Sequence, residues 1–207
     1  MLIDRLEWLG HSAFRVKTEG GLTVYFDPFR LKPGADKAGV IFITHEHYDH
    51  CSPEDVALIT KDSTVIAGNA AVAAKLGRQI LAVKPGEKNT AAGIAFEAVA
   101  AYNLKIPNHA GSLGHTGFIA EIDGERLYHA GDTDKIPEMS ACRTDIALLP
   151  VGGTYTMDAG EAAQAAALIN PKIAVPMHYG WKPGQENYGA DFAKLCKCAV
   201  RVLERVS

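Results

Sequence analysis

The sequence contains no apolar segment that is long enough to cross a lipid bilayer. A membrane-spanning helix needs roughly 18 or more consecutive apolar residues, and no run in this chain approaches that length. The N-terminal stretch MLIDRLEWLGHSAF carries Asp4 and Glu7 early, and so lacks the uninterrupted apolar core of a signal peptide. We therefore expect a cytoplasmic protein with no membrane partner.

Cysteine is scarce, and its four occurrences in 207 residues show no disulfide pattern. A chain of this length can bury a sizeable core without covalent staples. Cys196 and Cys198 form a C-x-C pair, but a structural zinc site needs four ligands and the sequence offers no second pair. We predict that all four thiols are reduced and have packing or surface roles.

The chain also lacks any concentration of positive charge along the sequence. It has 21 Lys and Arg against 24 Asp and Glu, and the basic residues are dispersed. Nucleic-acid binding requires a basic stripe that neutralises phosphates. No Ser/Gly/Pro-rich linker or low-complexity tract divides the sequence. We predict one domain over residues 1–207, a small-molecule substrate and no nucleic-acid partner.

Two strand-rich halves are present, and each also carries helices. In the first half, SAFRVKT and LTVYFD are β-prone runs joined at EGG, and VIFIT is typical of a strand buried on both faces. In the second half, GFIAEIDGERLYHAG predicts a hairpin that turns at Asp123 and Gly124. The strand pattern also fits GIAFEAVAAY, DIALLPV and KIAVPM.

Helices are predicted at SPEDVALI, NAAVAAKLG and DAGEAAQAAALIN, and a last helix and strand follow near the C-terminus. Ser52 is placed to cap the first helix, with Pro53 at its first position and Asp55 as the reciprocal carboxylate of a capping box. Asn170 and Pro171 end the third helix. Strands with helices in both halves predict two sheets that pack face to face, with the helices outside.

The segment THEHYDH, at positions 44 to 50, concentrates three histidines and an aspartate directly after the buried strand. His45 and His47 are two residues apart, so their side chains point the same way in an extended segment. Asp49 and His50 follow where the chain turns toward its helix. Nitrogen and oxygen ligands at this density suit zinc or another borderline ion. The sequence therefore predicts a metal site in this strand-to-helix loop.

THEHYDH matches the H-x-H-x-D-H motif of the metallo-β-lactamase superfamily. Further segments fit that superfamily in the same order, namely WLGHSAF, YFDPF, YHAGDTD, LLPVGGTYTM and VPMHYG. The first two resemble its small stand-alone hydrolases, the branch with ascorbate-phosphate lactonase-like and N-acylphosphatidylethanolamine phospholipase D-like enzymes. This resemblance implies an α/β (α+β) fold, a four-layer αββα sandwich, with two divalent metal ions at one edge between the sheets.

The resemblance also implies the ligand set. His45, His47 and a third histidine would hold one ion, the second ion would be held by Asp49, His50 and His178, and Asp132 would bridge the two. The third histidine is open: either His115 in SLGHTGF, or His109 in PNHAG. Some relatives place it at the end of the preceding strand, where Asn103 stands here. The ions would be Zn2+, with Mn2+ or iron as alternatives.

Other polar residues receive roles around the ions. By resemblance, Asp27 would hydrogen-bond the THEHYDH loop and orient its ligands. Asp49 would orient or deprotonate the attacking water, and His11 would contact the substrate as a second catalytic residue rather than bind metal. His129 is expected to be structural. Pocket walls are predicted from LKIPNHAGSLG and YGWKPGQENYG, with Trp181, Lys182 and Tyr188 in the latter and Arg30 as a further contact for an anionic substrate.

The predicted function is metal-dependent hydrolysis of a small ester, lactone or phosphodiester. Two ions lower the pKa of a shared water, so a nucleophile exists at neutral pH. A di-iron redox protein is one alternative, because the same ligand set holds iron in other branches of the superfamily. A non-catalytic metal-binding module on the same fold is the other. Metal identity and turnover of simple esters distinguish the three.

Overall fold

The chain folds into two β-sheets that pack face to face, in a computed structural model that describes residues 1–104 and 106–206. The inner faces of the sheets meet in one large apolar cluster. Phe42 of the first sheet contacts Phe96 and Phe118 of the second, with ring centroids 5.0 Å apart in both pairs. None of the helices in these described ranges is long and apolar enough to cross a membrane.

In the described part of the chain, the first sheet contains six strands in sequence order. The first three pair antiparallel, and the third to the sixth pair parallel. The strands are β1 (Leu6–Gly10), β2 (Ala13–Lys17), β3 (Thr23–Phe26), β4 (Val40–Phe42), β5 (Val65–Gly68) and β6 (Leu81–Ala82). All three residues of β4 are buried, as the sequence predicts for VIFIT.

Seven strands make up the second sheet within the described residues. They are β7 (Lys88–Ala91), β8 (Ile94–Ala100), β9 (Thr116–Ile122), β10 (Glu125–His129), β11 (Ile146–Pro150), β12 (Ile173–Met177) and β13 (Ala199–Val200). The spatial order is β13-β12-β11-β10-β9-β8-β7. Strands β7 to β10 pair antiparallel and β10 to β13 pair parallel. β7, the run KNTA, was not expected from the sequence because three of its four residues are exposed.

Four α-helices lie in the described ranges, namely α1 (Pro53–Ile59), α2 (Ala70–Leu76), α3 (Ala159–Ile169) and α4 (Tyr188–Leu195). Val56, Ile59 and Val72 of α1 and α2 pack with Tyr25 and Ile41 on the outer face of the first sheet. α3 and α4 pack on each other and against β11 and β12 of the second sheet. The result is the predicted α/β arrangement of four layers, helix, sheet, sheet and helix.

The helix boundaries follow the predicted capping residues, with one correction. The Ser52 hydroxyl accepts a hydrogen bond from the Asp55 backbone N–H over 3.2 Å, which confirms the N-cap. The Asp55 carboxylate does not complete a capping box, because it accepts instead from the backbone N–H groups of Arg30 and Leu31, both over 2.8 Å. Asp55 thus fixes the loop after β3 rather than its own helix.

The fold brings one edge of both sheets together. β4, β11 and β12 run parallel to their neighbours, and the carboxyl ends of parallel strands meet at the same edge of a sheet. The segment 44–50 follows β4, and residues 130–134 follow β10. Residues that are far apart in the sequence therefore meet at one rim.

Candidate metal centre

Seven of the chain's eight histidines form one connected set of ring contacts at this rim, with centroids 4.0–5.7 Å apart. They come from the turn after β1, the loop after β4, the turn Pro107–His109, the residue before β9 and the residue after β12. The eighth, His129, lies 3.9 Å from the Asp27 carboxylate. The set therefore gathers the predicted ligands His45, His47, His50, His109, His115 and His178 together with His11.

The first group of ligand atoms consists of His45, His47 and His109. The ligand atoms of these residues lie within 4.8 Å of one another. His109 Nε2 approaches His47 Nδ1 to 3.0 Å. His45 and His109 are buried and His47 is half-buried. Of the two histidines that the sequence left open, the structure thus brings His109 together with His45 and His47.

The second group consists of His11, Asp49, His50 and His178, also with ligand atoms within 4.8 Å of one another. It contains the three ligands that the resemblance implies, and it adds His11. The Nε2 of His11 lies 3.0 Å from Asp49 Oδ2. Because a carboxylate only accepts hydrogen bonds when ionised, His11 Nε2–H is the donor. His11 therefore lies among the second group and holds the Asp49 side chain in place.

Asp132 lies between the two groups. Its Oδ1 is 3.3 Å from His50 Nε2, and its Oδ2 is 3.1 Å from His178 Nε2 and 3.6 Å from His109 Nε2. The contact with His109 reaches the first group, and the contacts with His50 and His178 reach the second. Asp132 also forms a third set of close ligand atoms with His45 and His50. One carboxylate is thus shared by both groups.

Asp27 orients two of the ligands, as predicted. Its Oδ2 accepts from His50 Nδ1 over 2.7 Å and from the Thr44 hydroxyl over 2.7 Å. Since the Thr44 hydroxyl gives its proton to Asp27, its oxygen accepts from His45 Nδ1 over 2.9 Å. Both rings therefore hold a proton on Nδ1 and direct Nε2 toward the site where an ion would bind. Asp27 is completely buried.

A separate chain of hydrogen bonds fixes His109. The side-chain nitrogen of Asn103 donates to Asp134 Oδ1 over 2.8 Å, so the side-chain oxygen of Asn103 faces the ring. This oxygen accepts from His109 Nδ1 over 2.7 Å. The Nε2 of His109 is then the unprotonated nitrogen, and it points at His47 and Asp132. Asn103, where some relatives have the ligand histidine, orients that ligand here.

His115 lies beside the first group but belongs to neither set of ligand atoms. Its ring stacks on that of His45 with centroids 4.8 Å apart, and its Nε2 is 3.3 Å from Glu46 Oε2. Burial lowers the pKa of His115, so the ring is neutral near pH 7. The sequence does not predict the Glu46 contact, because no strand or helix pattern fixes the direction of this side chain between His45 and His47 in a loop.

His129 has both ring nitrogens engaged, as expected for a structural residue. Its Nε2–H donates to the Ser12 carbonyl over 2.8 Å, and its Nδ1 accepts from the Gly131 N–H over 3.2 Å. The ring stacks on Phe26 at an interplanar angle of 3°. Burial lowers the pKa of His129. A neutral His129 thus connects the turn between β1 and β2 to the loop that carries Asp132.

Electrostatics prepare the donor atoms for a cation. Burial lowers the pKa of His109 to about 4 and the pKa of His45 well below its ordinary value, so both rings are neutral near pH 7. Burial opposes ionisation of Asp132, but His178 and His50 outweigh it and hold its pKa well below the usual range. Burial also disfavours charge on His50, yet Asp132 and Asp27 raise its pKa well above the ordinary value. A cation would replace that proton.

Backbone geometry positions His11 and His178 against each other. His11 and His178 both have positive φ, 53° and 61°, which is uncommon for residues other than glycine. The His178 backbone N–H donates to the His11 carbonyl over 2.9 Å, and the Trp8 indole N–H donates to the same carbonyl over 2.9 Å. A Cβ at Gly152 would lie 2.7 Å from His178 Nδ1 and from its carbonyl oxygen. The missing side chain of Gly152 therefore makes room for His178.

The donor set fits a metal better than a hydrogen-bond network. Among the described residues, several buried ligand atoms have no hydrogen-bond partner, although they approach each other closely. Close approach without hydrogen-bond geometry is the arrangement of ligands around an ion, and buried polar atoms otherwise find partners. The atoms are His45 Nε2, His50 Nε2, His178 Nε2 and Asp132 Oδ1. These are the atoms that the hydrogen bonds of Asp27 and the position of Asp132 direct inward.

A cavity of about 300 Å³ opens beside these atoms. Trp181, Lys182 and Asn108 line it, as the predicted wall segments imply, while Lys105 of the first segment lies outside the described residues. The sequence missed Tyr48 and Tyr155, which also line the cavity and are 65% and 44% exposed. Two further residues that were predicted near the substrate do not line this cavity. Tyr188 belongs to α4 and packs against the core. The Arg30 guanidinium lies over the ring of Trp181, which itself lines the cavity.

Comparison with known proteins identifies the family. A profile of the beta-lactamase superfamily domain matches residues 5–178, a range that contains every residue of both ligand groups. A UPF0173 metal-dependent hydrolase of Archaeoglobus fulgidus is 33% identical over 93% of this chain and 90% of its own length.

Solved structures agree with that match. A proposed metal-dependent hydrolase from Parabacteroides distasonis superposes with a TM-score of 0.85 at 33% identity, covering 98% of this chain and 93% of the other. Igni18, a metallo hydrolase from Ignicoccus hospitalis, superposes with a TM-score of 0.80 at 27% identity, covering 98% and 95%. The two-sheet architecture is thus the metallo-β-lactamase fold, and the chain belongs to the beta-lactamase superfamily.

Proposed function

We propose that the protein is a metal-dependent hydrolase that uses two divalent ions to cleave a small ester, lactone or phosphodiester. Zn2+ is the metal that we propose for both positions. The observation that carries this proposal is the position of Asp132, whose carboxylate contacts His109 of one ligand group and His50 and His178 of the other. The names of the relatives from Archaeoglobus fulgidus and Ignicoccus hospitalis support metal-dependent hydrolysis as the reaction class.

The chemistry of the donors supports a catalytic centre rather than a structural one. Structural zinc sites are closed by four ligands, usually thiolates. The groups here contain only imidazoles and carboxylates. Cys51 adjoins His50 in the sequence, but burial raises the pKa of its thiol to about 12, so it is not available as a thiolate. When bound, a pair of divalent ions supplies an activated water and polarises the substrate oxygen.

Asp49 orients the attacking water. Burial would raise its pKa, but the hydrogen bond from His11 and the nearby His50 lower the pKa of Asp49 to about 2. A carboxylate of such low basicity accepts a hydrogen bond from water without becoming protonated itself. Asp49 also lines the cavity, so the water it orients has access to the substrate.

His11 acts on Asp49. Burial lowers the pKa of His11 to about 4, more than the hydrogen bond with Asp49 raises it, so the ring is neutral near pH 7. Its single proton lies on Nε2 and is donated to Asp49 Oδ2 over 3.0 Å. A neutral ring with its proton already engaged is a poor acid for a leaving group. We therefore assign His11 to positioning Asp49 at the reacting centre.

The walls of the cavity support a small organic substrate with an apolar part. Tyr48, Tyr155 and Trp181 present aromatic rings at the mouth. Lys182 lies with its Nζ 5.8 Å from the Tyr155 ring centroid and places one positive charge at the same rim. A cavity of about 300 Å³ matches the lower end of the range for small-molecule sites. An ester with an apolar acyl or aryl group and one negative charge fits these features.

Elemental analysis and a substrate panel test the proposal. The purified protein would be assayed for bound metals, and then against chromogenic phosphodiesters, lactones and carboxylic esters with and without a chelator. We expect turnover of at least one class, loss of turnover with chelator or in His47→Ala, and normal turnover in the exposed control Lys61→Ala. Iron without hydrolysis would instead favour the redox alternative, and bound metal without any turnover would favour the binding module.

A further inference from the structure

A second cavity lies away from the metal centre, between the loop after β3 and the C-terminal segment that follows β13. Its volume is about 190 Å³. Four basic side chains line it, those of Arg15, Arg30, Lys32 and Arg205, and no Asp or Glu is among its lining residues in the described part of the chain. In a protein whose net charge is −3, four positive charges around one cavity form a local field that favours an anion.

Most of this charge is not neutralised by the protein. Arg15 pairs with Glu7, with Nε and Oε2 2.5 Å apart, and lies 3.7 Å from Asp36. Within residues 1–104 and 106–206, Arg30, Lys32 and Arg205 form no ion pair. The cavity therefore keeps an excess of positive charge after the Arg15 pairs are discounted.

Arg30 is held in place through both its backbone and its side chain. Its backbone adopts a positive φ of 52°, and its N–H donates to Asp55 Oδ2 over 2.8 Å. Its side chain then lies over Trp181, with Cζ 3.9 Å from the ring centroid, and 5.4 Å from the Phe29 centroid. Stacking of this kind fixes the guanidinium plane and leaves its edge free to donate hydrogen bonds.

Arg205 is held by the first sheet. The backbone at Arg205 forms a parallel bridge with Trp8, and the Val206 N–H donates to the Trp8 carbonyl over 2.9 Å. The side-chain Nε of Arg205 donates to the Leu9 carbonyl over 3.0 Å. A Cβ at Gly10 would lie only 2.8 Å from this Nε, so glycine leaves the space that the guanidinium occupies. Two arginines whose side chains are each anchored by the protein thus line one cavity.

We propose that this cavity is a binding site for a phosphate group, held by Arg30 and Arg205 with support from Lys32. The planar guanidinium matches a phosphate with two parallel N–H donors, which is why arginine predominates where phosphates are recognised. A smaller cavity bordered by both arginines also reaches His11 and Trp181, which line the metal cavity. The phosphate site is therefore separate from the metal centre and is divided from it by Trp181.

Nuclear magnetic resonance of the arginine side chains tests this site directly. The Nε–H signals of the zinc-loaded protein would be followed during addition of inorganic phosphate, of glycerol 3-phosphate, and of chloride at equal ionic strength. We expect the Arg30 and Arg205 signals to move to saturation with both phosphate compounds and not with chloride. The Arg201 signal is the control, because this exposed arginine lies near Asp4 and outside the cavity. Tighter binding of glycerol 3-phosphate than of inorganic phosphate would identify a phosphate ester as the ligand, and the reverse would identify the free ion.

Variants separate a site from a general charge effect. Arg205→Gln is expected to weaken the phosphate response of Arg30 by about tenfold or more, because it removes a charge-assisted hydrogen bond to the phosphate, whereas Arg201→Gln leaves it unchanged. If Arg205→Gln does not fold, the reverse variant serves the same purpose: in Arg30→Gln, the phosphate response of the Arg205 signal is measured. Equal responses to phosphate and chloride, or a response that survives both arginine variants, would overturn the proposal.

Discussion

The side-chain oxygen of Asn103 accepts a hydrogen bond from His109 Nδ1 over 2.7 Å, and the Asn103 amide nitrogen is anchored on Asp134 over 2.8 Å. The bond directs His109 Nε2 at His47 and Asp132. His115, the residue immediately before β9, instead stacks on His45 and faces Glu46. Two histidines that the sequence cannot rank therefore occupy different positions.

Replacing each of these histidines separates a ligand from a neighbour. We expect His109→Ala to lose one of two bound ions, because it removes a nitrogen of the first ligand group. His115→Ala is the matched control and should keep both ions. Asn103→Ala should weaken the first ion by roughly 10–100-fold, the usual effect of removing an outer partner of a ligand. Metal content after dialysis measures all three, and loss of metal in His115→Ala but not in His109→Ala would reverse the assignment.

Asp27 is expected to control the metal centre without touching an ion. In Asp27→Asn an amide NH2 replaces one carboxylate oxygen, so the side chain can no longer accept both from the Thr44 backbone N–H at one oxygen and from His50 and the Thr44 hydroxyl at the other. We expect metal affinity to fall by roughly 10–100-fold. Competition with a zinc-binding dye measures the affinity. Asp62→Asn, on the exposed surface, is the control, and equal affinities in the two variants would contradict the role given to Asp27.

Gly152→Ala tests how tightly His178 is held. The new Cβ would lie 2.7 Å from both the ring Nδ1 and the carbonyl oxygen of His178, and the carbonyl cannot move aside cheaply because it is backbone. We expect weaker binding of the second ion and an unchanged far-ultraviolet circular dichroism spectrum. Gly160→Ala in α3 is a matched control, since its Cβ would meet only Asp158 Oδ1 at 3.4 Å. Normal metal binding in Gly152→Ala would show that His178 is not confined.

The metal-free protein should lose stability as the pH falls below 6.5. Burial lowers the pKa of His11 and of His109 from 6.5 to about 4, so between these values the unfolded chain binds more protons than the folded one. The free energy of unfolding then decreases as the pH falls through this window. The pKa values of His45, His115 and His129 are shifted in the same direction.

His50 affects stability in a different pH window, above 6.5. Its pKa is raised well above 6.5 by Asp132 and Asp27, against the effect of burial, so its contribution is fully present at low pH and is lost as the pH rises through the folded value. Below pH 6.5 the contribution of His50 is constant, so among the histidines only the five with a lowered pKa change the free energy of unfolding there. Urea denaturation of the chelator-treated protein across the acidic range measures this change. A free energy of unfolding that stayed constant or increased on acidification would contradict it.

The parts of the fold that local rules govern were predictable from the sequence. The Ser52 cap, the turn at Asp123 and Gly124 and the buried β4 each depend on residues within a few positions of one another. The loop from 45 to 50 was predictable for the same reason, because its residues share one strand end. Asp27 could be assigned through the resemblance of its own motif.

Contacts that depend on the path of a loop were not predictable. Asp55 has the right spacing for a capping box, but the loop after β3 supplies two backbone N–H groups that compete for its carboxylate. The selection of His109 over His115 depends on the tertiary link from Asn103 to Asp134. Arg205 lines the same cavity as Arg30 because the C-terminal segment bridges to Trp8. None of these pairings has a periodic signal in the sequence.

The number of ions bound per chain tests the central claim most directly. Native mass spectrometry of the metal-free protein during addition of Zn2+ would count them for the wild type and for Asp132→Ala, whose missing carboxylate contacts both ligand groups. The account predicts two ions per wild-type chain and a strong loss of both in the variant. Saturation of the wild type at one ion or none, or full binding by Asp132→Ala, would contradict it.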